Sequence, residues 1–153
     1  MSTTIALAIL MVPHGPAAVG KVLKIPVYNA DQKHPSVMDY ATTVLPLGFT
    51  DVKIGSGLIK SDNGSISMSI LKSSTAMPAL LRNSKANKGD GFTTIRLTNW
   101  IGYRNSRKNG EDYKLDFHQY RISLAVECKD KSKLTTLRES IHSLVDSLNL
   151  KGH

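Results

Sequence analysis

Residues 65–70 alternate polar and apolar side chains without an error over six positions. Successive side chains of a strand point to opposite faces, so this pattern predicts a strand with a wet, serine-lined face and an apolar face turned to a core. The preceding Asp62-Asn63-Gly64 suits a tight hairpin turn, because Asn and Gly tolerate positive φ. The segment therefore predicts a β-hairpin, and a chain containing it must build a sheet with one buried side.

Two later segments repeat the alternation. Residues 92–103 are predicted as one strand whose polar side carries Thr94, Arg96, Thr98 and Trp100. Residues 113–127 are predicted as the return strand after a turn at Lys108-Asn109-Gly110. In its second half, Arg121 and Ser123 alternate with aliphatic residues. The three strands are expected to form an antiparallel meander over about residues 50–127.

The first 27 residues read as an N-terminal hairpin, about 3–27, formed by two apolar runs separated by Pro13, Gly15 and Pro16. The first run has only about eight apolar positions, too few to cross a bilayer, so no membrane association is predicted. A signal peptide is the less favoured alternative, since no basic region precedes the run. Residues 29–40 are predicted as a loop, and residues 73–91 as a second, basic loop.

The end of the chain predicts an amphipathic helix over about residues 132–149, with Asp130 or Ser132 as its N-cap. Its apolar stripe consists of Leu134, Leu137, Ile141, Leu144, Val145 and Leu148. Strands first and helix last indicate one α+β domain spanning residues 1–153. The apolar stripe must be buried against a sheet, either that of its own chain or that of a second copy. One helix is too small to cover a whole face of a sheet of this size. Dimerisation is therefore expected.

Positive charge is concentrated in one part of the chain. The formal net charge is +8, and residues 82–121 alone carry nine Lys or Arg against four acidic residues. Such clustering suits a phosphate-binding surface, whereas a solvated basic face is the alternative. The single cysteine, Cys128, excludes an internal disulfide and a cysteine-based zinc site, and it fits a reducing compartment.

The polar sides of the three strands are predicted to form one RNA-binding surface. Arginine supplies phosphate contacts, hydroxyls contact phosphate or base edges, and Trp100 offers a platform for an unpaired base. The serines alone would be explained equally by strand propensity. The expected RNA-binding residues are Ser65, Ser67, Arg96, Thr98, Trp100, Arg121 and Ser123 on the strands, and Arg104 at the start of a basic loop predicted over residues 104–110.

Catalytic patterns are weak in this sequence. The five histidines show no metal-ligand spacing, and there is no G-x-S-x-G elbow and no phosphate-binding loop of the G-x-x-x-x-G-K type. The prediction is a protein that is not an enzyme and uses no cofactor or metal. The catalytic alternative is a small nuclease or transferase that uses His118 with Arg121.

The sequence combines an N-terminal hairpin, a meander with hydroxyl and basic residues on one face, and a run from Tyr120 to Val126 that leads into an amphipathic helix. This arrangement resembles the coat proteins of single-stranded RNA bacteriophages. Residues 19–24 also resemble the start of the second hairpin strand in some of these coats. The resemblance implies a homodimer whose helices lie across the partner's sheet, an icosahedral shell, and RNA, including a stem-loop, on the polar face. The protein would then belong to the virion and assemble in the host cytoplasm.

By this resemblance, the dimer interface is formed by Leu137, Ile141, Leu144, Val145 and Leu148. The alternative is a dimeric RNA-binding regulatory protein that does not assemble into particles. Both hypotheses place single-stranded RNA on the same sheet face.

Overall fold

The fold is described by a computed structural model over residues 20–76 and 92–150. The predicted strand at residues 3–12 lies outside the described residues, as does most of the predicted loop 73–91. The second strand of the predicted N-terminal hairpin, up to residue 27, is described and is a strand that pairs with residues 37–44. Within the described ranges, no helix is long and apolar enough to cross a membrane.

Nine strands and one α-helix make up the described fold. The strands are β1 (Val22–Asn29), β2 (Val37–Val44), β3 (Thr50–Asp51), β4 (Leu58–Ser61), β5 (Gly64–Lys72), β6 (Phe92–Leu97), β7 (Trp100–Arg107), β8 (Gly110–Phe117) and β9 (Tyr120–Glu127). A 3₁₀ turn (Lys131–Lys133) then leads into α1 (Leu134–Asp146). The strands form one sheet in the order β2-β1-β5-β9-β8-β7-β6, with β4 beside the first half of β5 and β3 beside β4. The predicted α+β class is confirmed.

The prediction of a wholly antiparallel sheet is wrong at one junction. β1 pairs with β5 in parallel, through Val27 and Ile70 and the two residue pairs that follow. The reason lies in the path of the chain, which leaves β2, forms the small β3 and β4, and returns along β5 in the direction of β1. Residues 37–40, predicted as part of a loop, belong to β2, which is an edge strand.

Two predicted hairpin turns are confirmed, and two further turns were not foreseen. Asp62 and Asn63 join β4 to β5, and Lys108 and Asn109 join β7 to β8, with Gly64 and Gly110 as the first residues of the strands that follow. The chain also reverses between β6 and β7 at Thr98 (φ 30°) and between β8 and β9 at His118 (φ 53°). Each of the two long predicted strands is therefore a hairpin.

The turn at Thr98 changes the face on which the following residues lie. Leu97 and Trp100 are directly paired across the hairpin, so both side chains point to the same side of the sheet. Trp100 is 5% exposed and lies 5.5 Å from Phe117 between ring centroids. The prediction that Trp100 lies on the polar face is wrong, because the alternation was carried through a turn that resets it.

The apolar side of α1 packs against the sheet of its own chain. Leu137, Ile141 and Leu144 are fully buried, Val145 is 2% exposed, and Leu148 is partly buried against the same core. The predicted cap, Asp130, accepts a hydrogen bond from the backbone N–H of Ser132 at the start of the 3₁₀ turn. The predicted helix 132–149 is longer than α1, which begins at Leu134 and has no side-chain capping hydrogen bond at its N-cap, Lys133. The packing of α1 on its own sheet differs from the expected packing on a partner's sheet, because the chain's own strands already cover these side chains.

The sheet can cover the helix because it is strongly curved. Six steps of about 4.8 Å between neighbouring strands would separate the edges of a flat sheet by about 29 Å, whereas a helix is about 10 Å wide. Nevertheless, the C-terminal end of α1 contacts β2 at one edge and the end of β6 at the other. The sheet therefore curls around α1 and places its second face outward.

Candidate nucleic-acid interface

The open face is the side of the β5–β9–β8–β7–β6 sheet opposite α1. Direct pairing across the ladders aligns five polar residues, one from each strand, in a line that we call the central row. Its members are Ser69, Ser123, Lys114, Tyr103 and Thr94. At about 4.8 Å per step, the central row is about 19 Å long. It runs perpendicular to the strands.

A shallow concavity of about 420 Å³ lies over the middle of this row. Lys114 and Ser123 line it, and the Lys114 ammonium donates a hydrogen bond to Ser123 Oγ at 2.7 Å. Thr94 is exposed and the other members of the row are half-buried, and Ser67, which also lines the concavity, is exposed. The concavity thus combines a cation, several hydroxyls and the ring of Tyr103 on one accessible surface.

The row on one side of the central row carries a fixed ion pair. Arg121 donates from Nε to Asp116 Oδ1 at 2.7 Å and from Nη2 to Asp116 Oδ2 at 3.0 Å. These hydrogen bonds raise the pKa of the Arg121 guanidinium, although partial burial opposes the shift. Two parallel bonds hold the guanidinium in one plane, and its charge is largely neutralised by Asp116.

The charge at the other border is also paired. Arg107 lies 2.8 Å from Asp112 and 3.3 Å from Glu127, measured between nitrogen and carboxylate oxygen. Arg96, by contrast, is exposed on β6 and forms no ion pair with any residue in the described ranges. The free cations of the open face are therefore Lys114 at its centre and Arg96 at its edge, as far as the described residues extend.

Five of the predicted RNA-binding residues lie together on the open face. Pairing places Ser65 opposite Glu127, Ser67 opposite Ala125, and Arg96 opposite Ile101. The five residues on this face are Ser65, Ser67, Arg96, Arg121 and Ser123. Strand alternation was sufficient to bring these five residues together.

Three predicted residues lie elsewhere, and their assignment to this face is corrected. Trp100 is in the core, as described above. Thr98 is in the β6–β7 turn and donates a hydrogen bond to Asp146 of α1 at 2.9 Å. Arg104 is paired across the ladder with Tyr113, which faces the core, so Arg104 points to the helix side. The errors for Thr98 and Trp100 follow from the reversal at Thr98, whereas Arg104, predicted in a loop, belongs to β7, which continues to Arg107.

Arg104 contributes to an ion cluster beneath the helix that the sequence analysis missed. Glu111, 1% exposed, lies 3.5 Å from Arg104 Nε and accepts a hydrogen bond from Arg138 Nε at 3.0 Å. Arg138 Nη2 also contacts the second carboxylate oxygen of Glu111. Tyr113 donates its hydroxyl proton to Glu111 Oε1 at 3.2 Å. The cluster ties β8 to α1 and holds two arginines against one carboxylate.

The cluster also perturbs its tyrosine. Burial, followed by the negative charge of Glu111, raises the pKa of Tyr113 to about 12. The hydrogen bond to Glu111 raises the pKa of Arg138 as well. A phenol that stays neutral and an arginine that stays charged serve a structural role at physiological pH, because neither exchanges a proton there.

The open-face residues that the sequence analysis missed are Lys114, Tyr103 and Asn105. A single strand over residues 92–103 predicts Tyr103 on the side opposite Thr94, whereas the turn at Thr98 pairs Tyr103 directly with Thr94 on the open face. Lys114 could have been found, since it alternates with the buried Tyr113 and Leu115 in the pattern used for the other strands.

His118 and Arg121, the residues of the catalytic alternative, contact different neighbours. His118 is exposed in the β8–β9 turn, with its ring 4.3 Å from the Phe117 ring between centroids, whereas the Arg121 guanidinium is held by Asp116. Within the described ranges, no group of three His, Cys, Asp or Glu residues is arranged to hold a metal ion.

Comparison with known proteins concerns the fold alone. No protein-family model and no curated protein matches this sequence. A solved structure from Bacteroides thetaiotaomicron VPI-5482 resembles the fold with a TM-score of 0.54 at 12% sequence identity. The match covers 74% of this chain and 46% of that chain, so it spans less than half of the neighbour's length.

Proposed function

We propose that this chain is a structural, non-enzymatic protein that binds single-stranded RNA across the open face of its sheet. The observation that carries the proposal is the central row, in which hydroxyls, an ammonium group and an aromatic ring from five neighbouring strands are in register. Sheet faces that bind single strands combine cations for the phosphates with aromatic rings on which bases stack.

Lys114 and Tyr103 have the central roles in this proposal. Lys114 has no carboxylate among its ion-pair partners in the described ranges, so its charge is available to a phosphate. Tyr103 is directly paired with Lys114 and lines the same concavity, where a base would stack on its ring. Ser123 and Ser69 would supply hydrogen bonds to phosphate or base edges.

The coat-protein hypothesis adds self-assembly to RNA binding. Support comes from the edges of the sheet, since β2 and β6 each pair with one neighbour only among the described strands. A further copy could pair with such an edge. In this form of the proposal the protein dimerises, builds an icosahedral shell around genomic RNA in the host cytoplasm and becomes part of the virion.

A second candidate is a regulatory RNA-binding protein that does not assemble. It is favoured by the burial of Leu137, Ile141 and Leu144 in their own chain, because a helix that needs no partner removes one reason to dimerise. In this candidate the same open face binds RNA.

Two measurements test the proposal. Fluorescence anisotropy with a labelled single-stranded RNA should show binding that weakens with salt, with Lys114→Ala at least about fivefold weaker and Lys53→Ala, a distant exposed control, unchanged. Equal affinity of wild type and Lys114→Ala would refute the role of the open face. Electron microscopy of the purified protein then separates the candidates, since closed particles support the coat hypothesis and a uniform small species supports the regulator.

A further inference from the structure

Five lysines that form no ion pair with a described carboxylate lie near one end of the sheet. Every ion pair in the described ranges uses an arginine, and the open face neutralises Arg107 and Arg121 in this way. The lysines form no such pairs with described carboxylates. The basic end is the set of five lysines near the β4–β5 turn, the β7–β8 turn and the segment after β9: Lys60, Lys108, Lys129, Lys131 and Lys133.

A concavity of about 580 Å³ lies within the basic end. Lys60, Lys129 and Lys133 line it, together with the turn residues Asn63 and Asn109. Lys108 and Lys131 are sequence neighbours of its lining residues and are exposed. The walls are thus formed by three separate parts of the chain.

Backbone contacts hold these walls together. The N–H of Cys128 donates to the carbonyl of Asn109 at 2.7 Å, which joins the segment after β9 to the β7–β8 turn. Gly64, at φ 147°, lets the β4–β5 turn approach β9, because a Cβ there would lie 2.2 Å from the carbonyl oxygen of Glu127. Asp130 fixes the start of the 3₁₀ turn through Ser132. The concavity is therefore a built feature of the fold.

Three carboxylates, those of Asp62, Glu127 and Asp130, also line the concavity. Glu127 pairs with Arg107, and Asp130 accepts hydrogen bonds from both the N–H and the hydroxyl of Ser132, which lower its pKa. Asp62 is exposed in the turn. Asp62 and Asp130 balance two of the three lining lysines, and Arg107 pairs with Glu127. The excess of positive charge therefore comes chiefly from the exposed Lys108 and Lys131 beside the concavity, and such an excess attracts a polyanion.

The basic end is continuous with the open face. Ser65 lines the concavity of the basic end, and Ser67, the next residue on the same side of β5, lines the concavity over the central row. Same-face residues on a strand are about 7 Å apart. A single strand lying along Ser65, Ser67 and Ser69 would pass from one concavity to the other without crossing a gap.

We propose that the concavity of the basic end binds the phosphodiester backbone of the single-stranded nucleic acid whose bases lie on the open face. This inference rests on the proposed function and adds a second subsite. The division of roles is that the lysines of the basic end supply most of the affinity and salt dependence, while the central row contacts the bases and, through Lys114, one phosphate.

The test compares two doubly substituted proteins of equal charge. Lys129→Glu with Lys131→Glu changes the basic end, and Lys33→Glu with Lys53→Glu changes exposed lysines elsewhere. With an unstructured oligouridine, we expect the first protein to bind at least about tenfold more weakly, and the slope of log affinity against log salt to become shallower by about 1.4 through the loss of two phosphate contacts. The second should stay within about threefold of wild type.

Several outcomes would overturn the inference. Equal losses in both proteins would indicate general charge attraction and no subsite. If the Lys129 and Lys131 variant retains RNA binding while Lys114→Ala loses it, the basic end is not a phosphate subsite. The proposed function of the open face would still hold. Absence of RNA binding by wild type would refute the function and the inference with it. Equal affinity of the basic end for oligoaspartate would identify an acidic protein as the partner. Circular dichroism verifies folding, and Lys→Ala versions replace any variant that fails to fold.

Discussion

Thr43 on β2 and Thr98 at the end of β6 bind the same end of α1 from opposite edges of the sheet. Thr43 Oγ1 donates to the carbonyl of Leu144 at 2.8 Å, and Thr98 Oγ1 donates to Asp146 Oδ1 at 2.9 Å. Leu144 and Asp146 are two residues apart, so one helix end connects the first and last strands of the sheet. These two hydroxyls hold the curvature that leaves the open face outward.

Removing the buried hydroxyl of Thr43 should weaken the attachment of α1 to β2 and destabilise the protein. Thr43 is 3% exposed, and Thr43→Val keeps its shape while removing a hydrogen-bond donor. We expect the free energy of unfolding to fall by about 1 kcal/mol. Thr42→Val, a half-buried neighbour on β2 whose side chain points the other way, is the control. Urea denaturation measures both, and an equal effect of the two substitutions would contradict the role of Thr43.

Replacing Thr98 with asparagine should stabilise the protein. Its φ of 30° lies in a region that β-branched residues rarely adopt, whereas asparagine tolerates it. Thr98→Asn should therefore raise the free energy of unfolding by about 0.5–1 kcal/mol, while its side-chain amide can still donate to Asp146. A lower thermal midpoint for Thr98→Asn would show that the turn is not strained.

Trp100 separates the core interpretation from the RNA-stacking one. Because its ring is buried against Phe117, Trp100→Ala should lower the free energy of unfolding by about 3–5 kcal/mol. Trp100→Phe should retain most of the stability and all of the RNA affinity. If the Trp100→Phe protein is stable but no longer binds RNA, Trp100 contributes directly to RNA binding.

The cluster around Glu111 predicts loss of stability at high pH. The pKa of Tyr113 is raised from 10.0 to about 12, so its neutral form is favoured in the folded state. The associated stability is fully present below pH 10 and is lost as the pH rises through about 12. Two pKa units correspond to about 3 kcal/mol. Chemical denaturation across this range should show the loss in wild type and not in Tyr113→Phe; identical pH profiles would contradict it.

The ion pair on the open face predicts a gain of affinity by substitution. Asp116→Asn removes the negative charge that neutralises Arg121 and leaves a side chain of the same shape. If RNA lies across this face, affinity should increase about three- to tenfold at low salt, and the increase should shrink as salt screens the added charge. Asp39→Asn, an exposed carboxylate on β2, is the matched control, and an equal gain there would point to net charge alone.

The sequence predicts the face on which a residue lies only where polar and apolar residues alternate along one uninterrupted strand. Ser65, Ser67 and Ser123 were placed correctly because their strands are entered through Asn-Gly turns or contain an unbroken alternation. Trp100 was misplaced because Thr98 and Asn99 make a turn that neither composition nor spacing marks strongly, and Arg104 was misplaced because its basic segment was predicted as a loop although it belongs to β7. A two-residue reversal exchanges the faces of everything that follows it. The shared open face of β5 and β9 was thus predictable, whereas Tyr103 and Asn105 on β7 were not.

The sequence by itself determined the local elements, namely strands with a period of two, Asn-Gly hairpins and a C-terminal helix with one apolar stripe. These depend on interactions between residues close in the chain, which leave a pattern in the sequence. Only the tertiary structure decided that α1 lies within its own curled sheet, that β1 joins β5 in parallel, and that Arg104 meets Glu111 under the helix. Those outcomes depend on contacts between distant segments, such as Thr43 with Leu144, whose energy is shared among many residues and leaves no local pattern.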